Sequence, residues 1–182
     1  MFKIAEEKRR QNIAEYLLFV WQMEDLLRGL DFDMKRLVDE ILASIDDEDE
    51  LGENIGWFQK MINSMKSSRL QVSGHLPETY EILNELQLLQ HTLLTVLGDA
   101  SFKKYHAAAK PVIEEFRLKA EQIPRGDIET ALTAVYGILT LKLAGKEISA
   151  ETKEAVSTLT AYLAQLARSY HAMKRGQLPL NN

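Results

Sequence analysis

Apolar residues recur every three or four positions along almost the whole chain, and no segment alternates with period two for long. That pattern predicts an all-α protein. Glycines and prolines, among them Gly29, Gly52, Gly56, Gly74, Gly98, Pro124, Gly126, Gly145 and Gly176, cut the chain into pieces mostly of helical length. The first predicted helix covers residues 4–30. The second covers 33–45, with the stripe Met34, Leu37, Val38, Ile41, Leu42 and Ile45. The acidic run at 46–50 is expected to open a third helix, because carboxylates favour a helix N-terminus. That helix carries Leu51, Ile55, Phe58, Ile62 and Met65 inward and ends before Gly74. Pro77 suits the first position of a fourth helix reaching Leu97, faced by Ile82, Leu86, Leu89, Leu93 and Leu97. Asp99 or Ser101 can cap a fifth, whose stripe is Phe102, Tyr105, Ala109, Val112, Phe116 and Ala120, with Pro111 on the opposite, solvent side. Asp127 is read as the cap of a sixth helix (Ile128, Leu132, Val135, Tyr136, Leu139). Ser149 is read as the cap of a seventh (Val156, Leu159, Leu163, Leu166, Tyr170), which Gly176 stops. The expected architecture is an antiparallel bundle or orthogonal array of about six or seven helices. It forms a single domain over residues 1–176 with a possible subdivision near 98–101, and residues 177–182 are a loose tail.

One position breaks the pattern. In the stretch EYLLFVWQMEDLLRG (15–29), Glu24 falls between Ile13, Leu17 and Val20, on the most apolar part of the wheel. A carboxylate there is either a site residue with altered proton affinity or one half of a satisfied ion pair. Arg28, one turn on, is in the favourable order for such a pair, and the structural reading is preferred. Gln90 lies within the leucine face of the fourth helix and is considered as a hydrogen-bond donor to Glu24. Trp21 and Trp57 sit at the margins of their apolar arcs, positions that suit core closure, a ligand cleft or a partner surface. Leu88 and Val96 lie off the main stripe of the fourth helix and suit burial by a second neighbour or a homodimer contact.

Composition removes several function classes. The 182 residues carry 27 acidic and 22 basic side chains, a formal charge of −5, which argues against general nucleic-acid or anionic-membrane binding. The longest apolar run, residues 16–21, is far too short to span a bilayer. No charged stretch followed by an apolar core marks a secretory signal, so a cytoplasmic location is expected. With no cysteine there are no disulfides, thiolate nucleophiles or cysteine metal sites.

Catalytic and metal motifs are equally scarce. No phosphate-binding glycine loop, no H-E-x-x-H and no G-x-S-x-G occurs. The histidines at 75, 91, 106 and 171 follow Val72, Leu88, Lys103 and Arg168 by three positions, so the Glu-x-x-His of di-iron bundles is absent. KKYHAAAK at 103–110 and RSYHAMKR at 168–175 resemble each other, which two helices solving one packing problem explain better than a duplicated site. His106 and His171 lie at stripe edges, and their convergence with a carboxylate would be needed to revive an enzymatic reading. No catalytic residue, metal ligand or cofactor is assigned.

The segment RRQNIAEYLLFVWQMEDLLRG, with the following FDMKRLVDEI, resembles an uncharacterised family of bacterial all-helical proteins known only as a domain of unknown function. The resemblance implies a small stand-alone helical protein and supplies no activity, cofactor or site residue. Two functions are therefore weighed. The first is a non-enzymatic protein acting through protein–protein contact, with itself as homo-oligomer or with a partner, in which Trp57, Leu88 and Val96 form the interface. The alternative is a small-molecule-binding bundle with a pocket near Glu24 and Arg28, bounded by Trp21 and Gln90.

Overall fold

The computed structural model describes residues 1–119 and 126–178. Ala120 of the fifth stripe, the punctuating Pro124 and the last four tail positions lie outside the described residues. Within them the protein is all-α, with eight α-helices and no strand. These are α1 (Phe2–Gln11), α2 (Ile13–Gly29), α3 (Met34–Leu37), α4 (Glu48–Ser67), α5 (Pro77–His91), α6 (Ala100–Lys119), α7 (Asp127–Leu143) and α8 (Ala150–Lys174). A π-helical turn continues α3 over Val38–Leu42, and another continues α5 over Thr92–Val96.

The eighth helix arises because the first predicted helix is two. Asn12 interrupts it, and its side-chain oxygen accepts the N–H of Ala14 at 3.2 Å, so the asparagine opens α2 instead of continuing α1. Two of the expected caps form: Asp99 receives the N–H of Phe102 and Ser149 that of Thr152. Asp33, which receives the N–H groups of Lys35 and Arg36, and Asp47, which receives that of Glu50, cap their helices as well. The acidic run at 46–50 thus does open α4. Pro111 is an exposed interior residue of α6. One expectation fails here. Asp127 is the first residue of α7, not its cap, and Gly126 takes the capping position at φ +97°, a conformation that suits glycine.

The chain packs as two compact units, residues 1–11 with 15–81 and residues 12–14 with 82–182. The dividing line falls inside α5 and not near 98–101, because the first turn of that helix packs with the first unit and the remainder with the second. In the first unit α1 and the π turn after α3 pack on α4, whose buried face is Asn54, Phe58, Met61, Ile62 and Met65. Asn54 is polar yet buried because both its ends are used: its oxygen accepts the Phe2 N–H at 2.9 Å and its amide donates to Glu50 O at 2.8 Å. In the second unit α6, α7 and α8 pack on one another. Phe102, Ala109 and Ile113 meet a core that includes Ile128, Leu132, Leu159, Tyr162 and Leu166, all buried.

Candidate functional site

α2 carries Ile13, Leu17, Val20 and Glu24 on one buried side, as its periodicity predicts, and Glu24 is 0% exposed. A carboxylate so placed must have its oxygens satisfied, and both are. Oε1 accepts the backbone N–H of Leu76 at 2.8 Å, and Oε2 accepts His75 Nδ1–H at 2.6 Å. Since a carboxylate only accepts, Nδ1 is the donor in this contact. The imidazole lies flat on the Trp21 indole, with centroids 4.1 Å apart and planes 12° from parallel, and Tyr80 stands at 6.3 Å. Leu76 caps α5: its carbonyl accepts from both the N–H and the hydroxyl of Thr79. The Glu24 charge therefore sits against the positive end of α5 as well.

Arg28 works on the same loop with the opposite polarity. Its Nε donates to Leu70 O at 3.1 Å, one terminal nitrogen donates to Gly74 O, and the other pairs with Asp25 at 2.7 Å. Left-handed backbone at Arg69 (φ +58°) and Gly74 (φ +90°) shapes the segment between α4 and α5 that presents these carbonyls. The expected Glu24–Arg28 bridge is thus corrected. One turn apart on α2, the carboxylate takes N–H donors and the guanidinium takes C=O acceptors, and together they strap residues 70–76. The pairing considered between Gln90 and Glu24 is corrected too. Gln90 accepts a hydrogen bond from the Tyr162 hydroxyl inside the second unit, while both Glu24 oxygens are engaged in the first.

An imidazole held by a buried carboxylate, with 25% of its side chain exposed, has the form of a general base. No described serine, threonine or lysine is hydrogen-bonded to it as a nucleophile would be, and among the described residues no three His, Asp or Glu gather as metal ligands. What the arrangement does visibly is hold a loop and cap a helix.

A second polar cluster lies in the other unit. Asp127 Oδ2 is 3.0 Å from His106 Nε2, and the carboxylate also receives Lys110 at 3.1 Å and Arg117 at 3.1 Å. Burial opposes its ionisation, but the hydrogen bonds from His106, Lys110 and Arg117 outweigh that and hold it below the usual carboxylate range. Asp127 therefore ties α6 to α7 and does not cap α7. His106 has found a carboxylate, yet His171 is no part of the cluster: it stands edge-on to Tyr170, and burial lowers its proton affinity.

Trp57 stacks at 6.3 Å on Phe19, meets Phe58 edge-on and borders an open groove of about 300 Å³. Leu88 and Val96 stand in solvent at 69% and 72% exposure. Beside Leu88 an apolar hollow of about 250 Å³ is bounded by Leu89, Thr92, Met173 and Leu178. None of the described helices is long and apolar enough to cross a membrane.

His75 is the residue that reading the sequence missed. Its partner is 51 residues distant, beyond the reach of any local pattern. Its one local sign is its place just before the Leu76–Pro77 helix start. Comparison with known proteins brings no curated relative and no solved structure that matches. A family model described as Domain of unknown function (DUF4924) matches residues 1–177, nearly the whole chain, and so includes the segments 9–29 and 32–41 that carry the resemblance. The chain belongs to the DUF4924 family.

Proposed function

We propose that this protein is a non-enzymatic helical module that acts through protein–protein contact, and that its first partner is a second copy of itself, docked on the outer edge of α5. The observation that carries this reading is the exposure of Leu88 and Val96 on a helix whose other side, Ile82, Leu83, Leu86, Leu89 and Leu93, is buried. The π turn over Thr92–Val96 supports it. Such a turn advances each residue by less than an α-helix does, which brings Val96 round toward the side occupied by Leu88. The hollow beside Leu88 makes the patch self-complementary, with projecting apolar side chains and a recess on one surface, as a two-fold contact requires. The −5 charge is modest enough for two copies to approach.

Native mass spectrometry and sedimentation of the purified chain test this. A dimer is expected at micromolar concentration. The double variant Leu88→Ser, Val96→Ser should weaken it by about 10- to 100-fold while leaving monomer stability within about 0.5 kcal/mol, since both side chains are already in water. A wild-type chain that stays monomeric at about 100 μM, or a dimer indifferent to both substitutions, overturns the reading.

A further inference from the structure

We infer that the groove in the first unit, between α1, α2 and α4, is a binding site for a small zwitterion with an apolar body: a free amino acid with a large, preferably aromatic, side chain. The site is independent of the α5 edge and belongs to the other unit.

Four features set the ligand's chemistry. The groove holds about 300 Å³, the lower end of the range for small-molecule pockets, which admits an amino acid and excludes a dinucleotide. Phe2, Tyr16, Trp57 and Met61 give it a largely aromatic wall. Tyr16 is only 7% exposed, and it lines the groove. Its ring is held in the wall while its oxygen is open to the groove, where a ligand can reach it. The fourth feature is the charge arrangement. Arg9 and Glu78 border the groove already paired at 2.8 Å, with the Arg9 guanidinium 5.4 Å above the Tyr16 ring. Lys60 and Glu6 border it too, and neither has an ion-pair partner among the described residues. Glu6 lies near enough to Tyr16 to act on the phenol electrostatically. One unpaired cation, one unpaired carboxylate and an aromatic wall that includes a phenol are complementary to a carboxylate, an ammonium and a hydrophobic side chain on one small molecule. A plain fatty acid leaves Glu6 unanswered, and a plain amine leaves Lys60 unanswered.

The test is isothermal titration of the full chain with L-phenylalanine as the probe. 3-Phenylpropionate, which lacks the ammonium, and phenethylamine, which lacks the carboxylate, serve as controls. One saturable site is expected for L-phenylalanine, with each control weaker by at least about tenfold. Lys60→Gln should weaken L-phenylalanine binding by about tenfold and bring it level with phenethylamine, leaving the melting temperature unchanged because Lys60 is exposed and unpaired. Tyr16→Phe keeps the ring and should weaken binding by several-fold. Absence of saturable L-phenylalanine binding overturns the proposal. So does equal binding of the two controls and the amino acid, or an affinity that Lys60→Gln leaves unchanged.

Discussion

Removing the Glu24 carboxylate separates a structural from an incidental role for the strap on α2. Glu24→Ala leaves the Leu76 N–H without its acceptor and His75 without the group that orients it, and Glu24 itself is 0% exposed. A buried N–H left unsatisfied costs about 1–3 kcal/mol and the lost hydrogen bond from part-exposed His75 to a charged acceptor about 1.5–3 kcal/mol, in all about 3–5 kcal/mol. For a chain of this length about 1 kcal/mol moves the midpoint by about 2–4 °C, so Glu24→Ala should melt about 6–20 °C below the parent. Glu24→Gln should be milder, about 1–2 kcal/mol. The amide oxygen can still accept from Leu76, and the amide nitrogen can donate to His75 Nδ1 once the imidazole takes its other tautomer. Thermal and urea unfolding give the global figure. Limited trypsin digestion gives the local one, because exposed Arg69 stands in the strapped loop and should be cut faster in Glu24→Ala and in Arg28→Ala, but only slightly faster in Glu24→Gln. If Glu24→Ala unfolds with the parent and Arg69 is cut no sooner, the loop is held by other means and the reasoning fails.

Two further predictions turn on proton binding. Asp127 titrates below its ordinary value in the folded state, so its stabilisation is fully present above the unfolded carboxylate pKa of about 3.9 and is lost as pH falls through the lower folded value. Asp127→Asn should therefore cost about 2 kcal/mol at pH 7, with the gap to the parent closing below about pH 4. A gap that stays constant from pH 7 to pH 3 refutes the assignment. Tyr16 is raised to about 12, by burial first and then by Glu78, so the folded state favours the neutral phenol. That contribution is fully present below the unfolded pKa of about 10 and is lost as pH rises from there toward 12, and it is absent in Tyr16→Phe. The parent-minus-variant absorbance at 295 nm should rise with a midpoint near pH 12, and a midpoint near pH 10 counts against a buried phenol.

What the sequence made legible, and what it did not, divides along the range of the interaction. Helical class, the burial of Glu24, the helix opened by the acidic run at 46–50 and the caps at Asp99 and Ser149 each depend on residues within a turn or two, and local periodicity and capping chemistry report those directly. Asp127 failed as a cap although its sequence signal was the same. An aspartate at the start of a helix fits either the capping position or the first turn, and the choice was made by three donors on α6 and by the tolerance of Gly126 for φ +97°. Glu24 shows the same limit more sharply. Its burial was readable and its partner was not, because the nearest cation in the sequence, Arg28, is not the nearest group in space. A loop turned by positive φ at Arg69 and Gly74 brings His75 across 51 residues to the carboxylate. The π turn over Thr92–Val96 had no sequence signature either, yet it changes the angular spacing between Leu88 and Val96 from the one that a regular helix would give. Periodicity shows which side chains lie off the core, but their angular placement past His91 depends on a local unwinding that periodicity does not report.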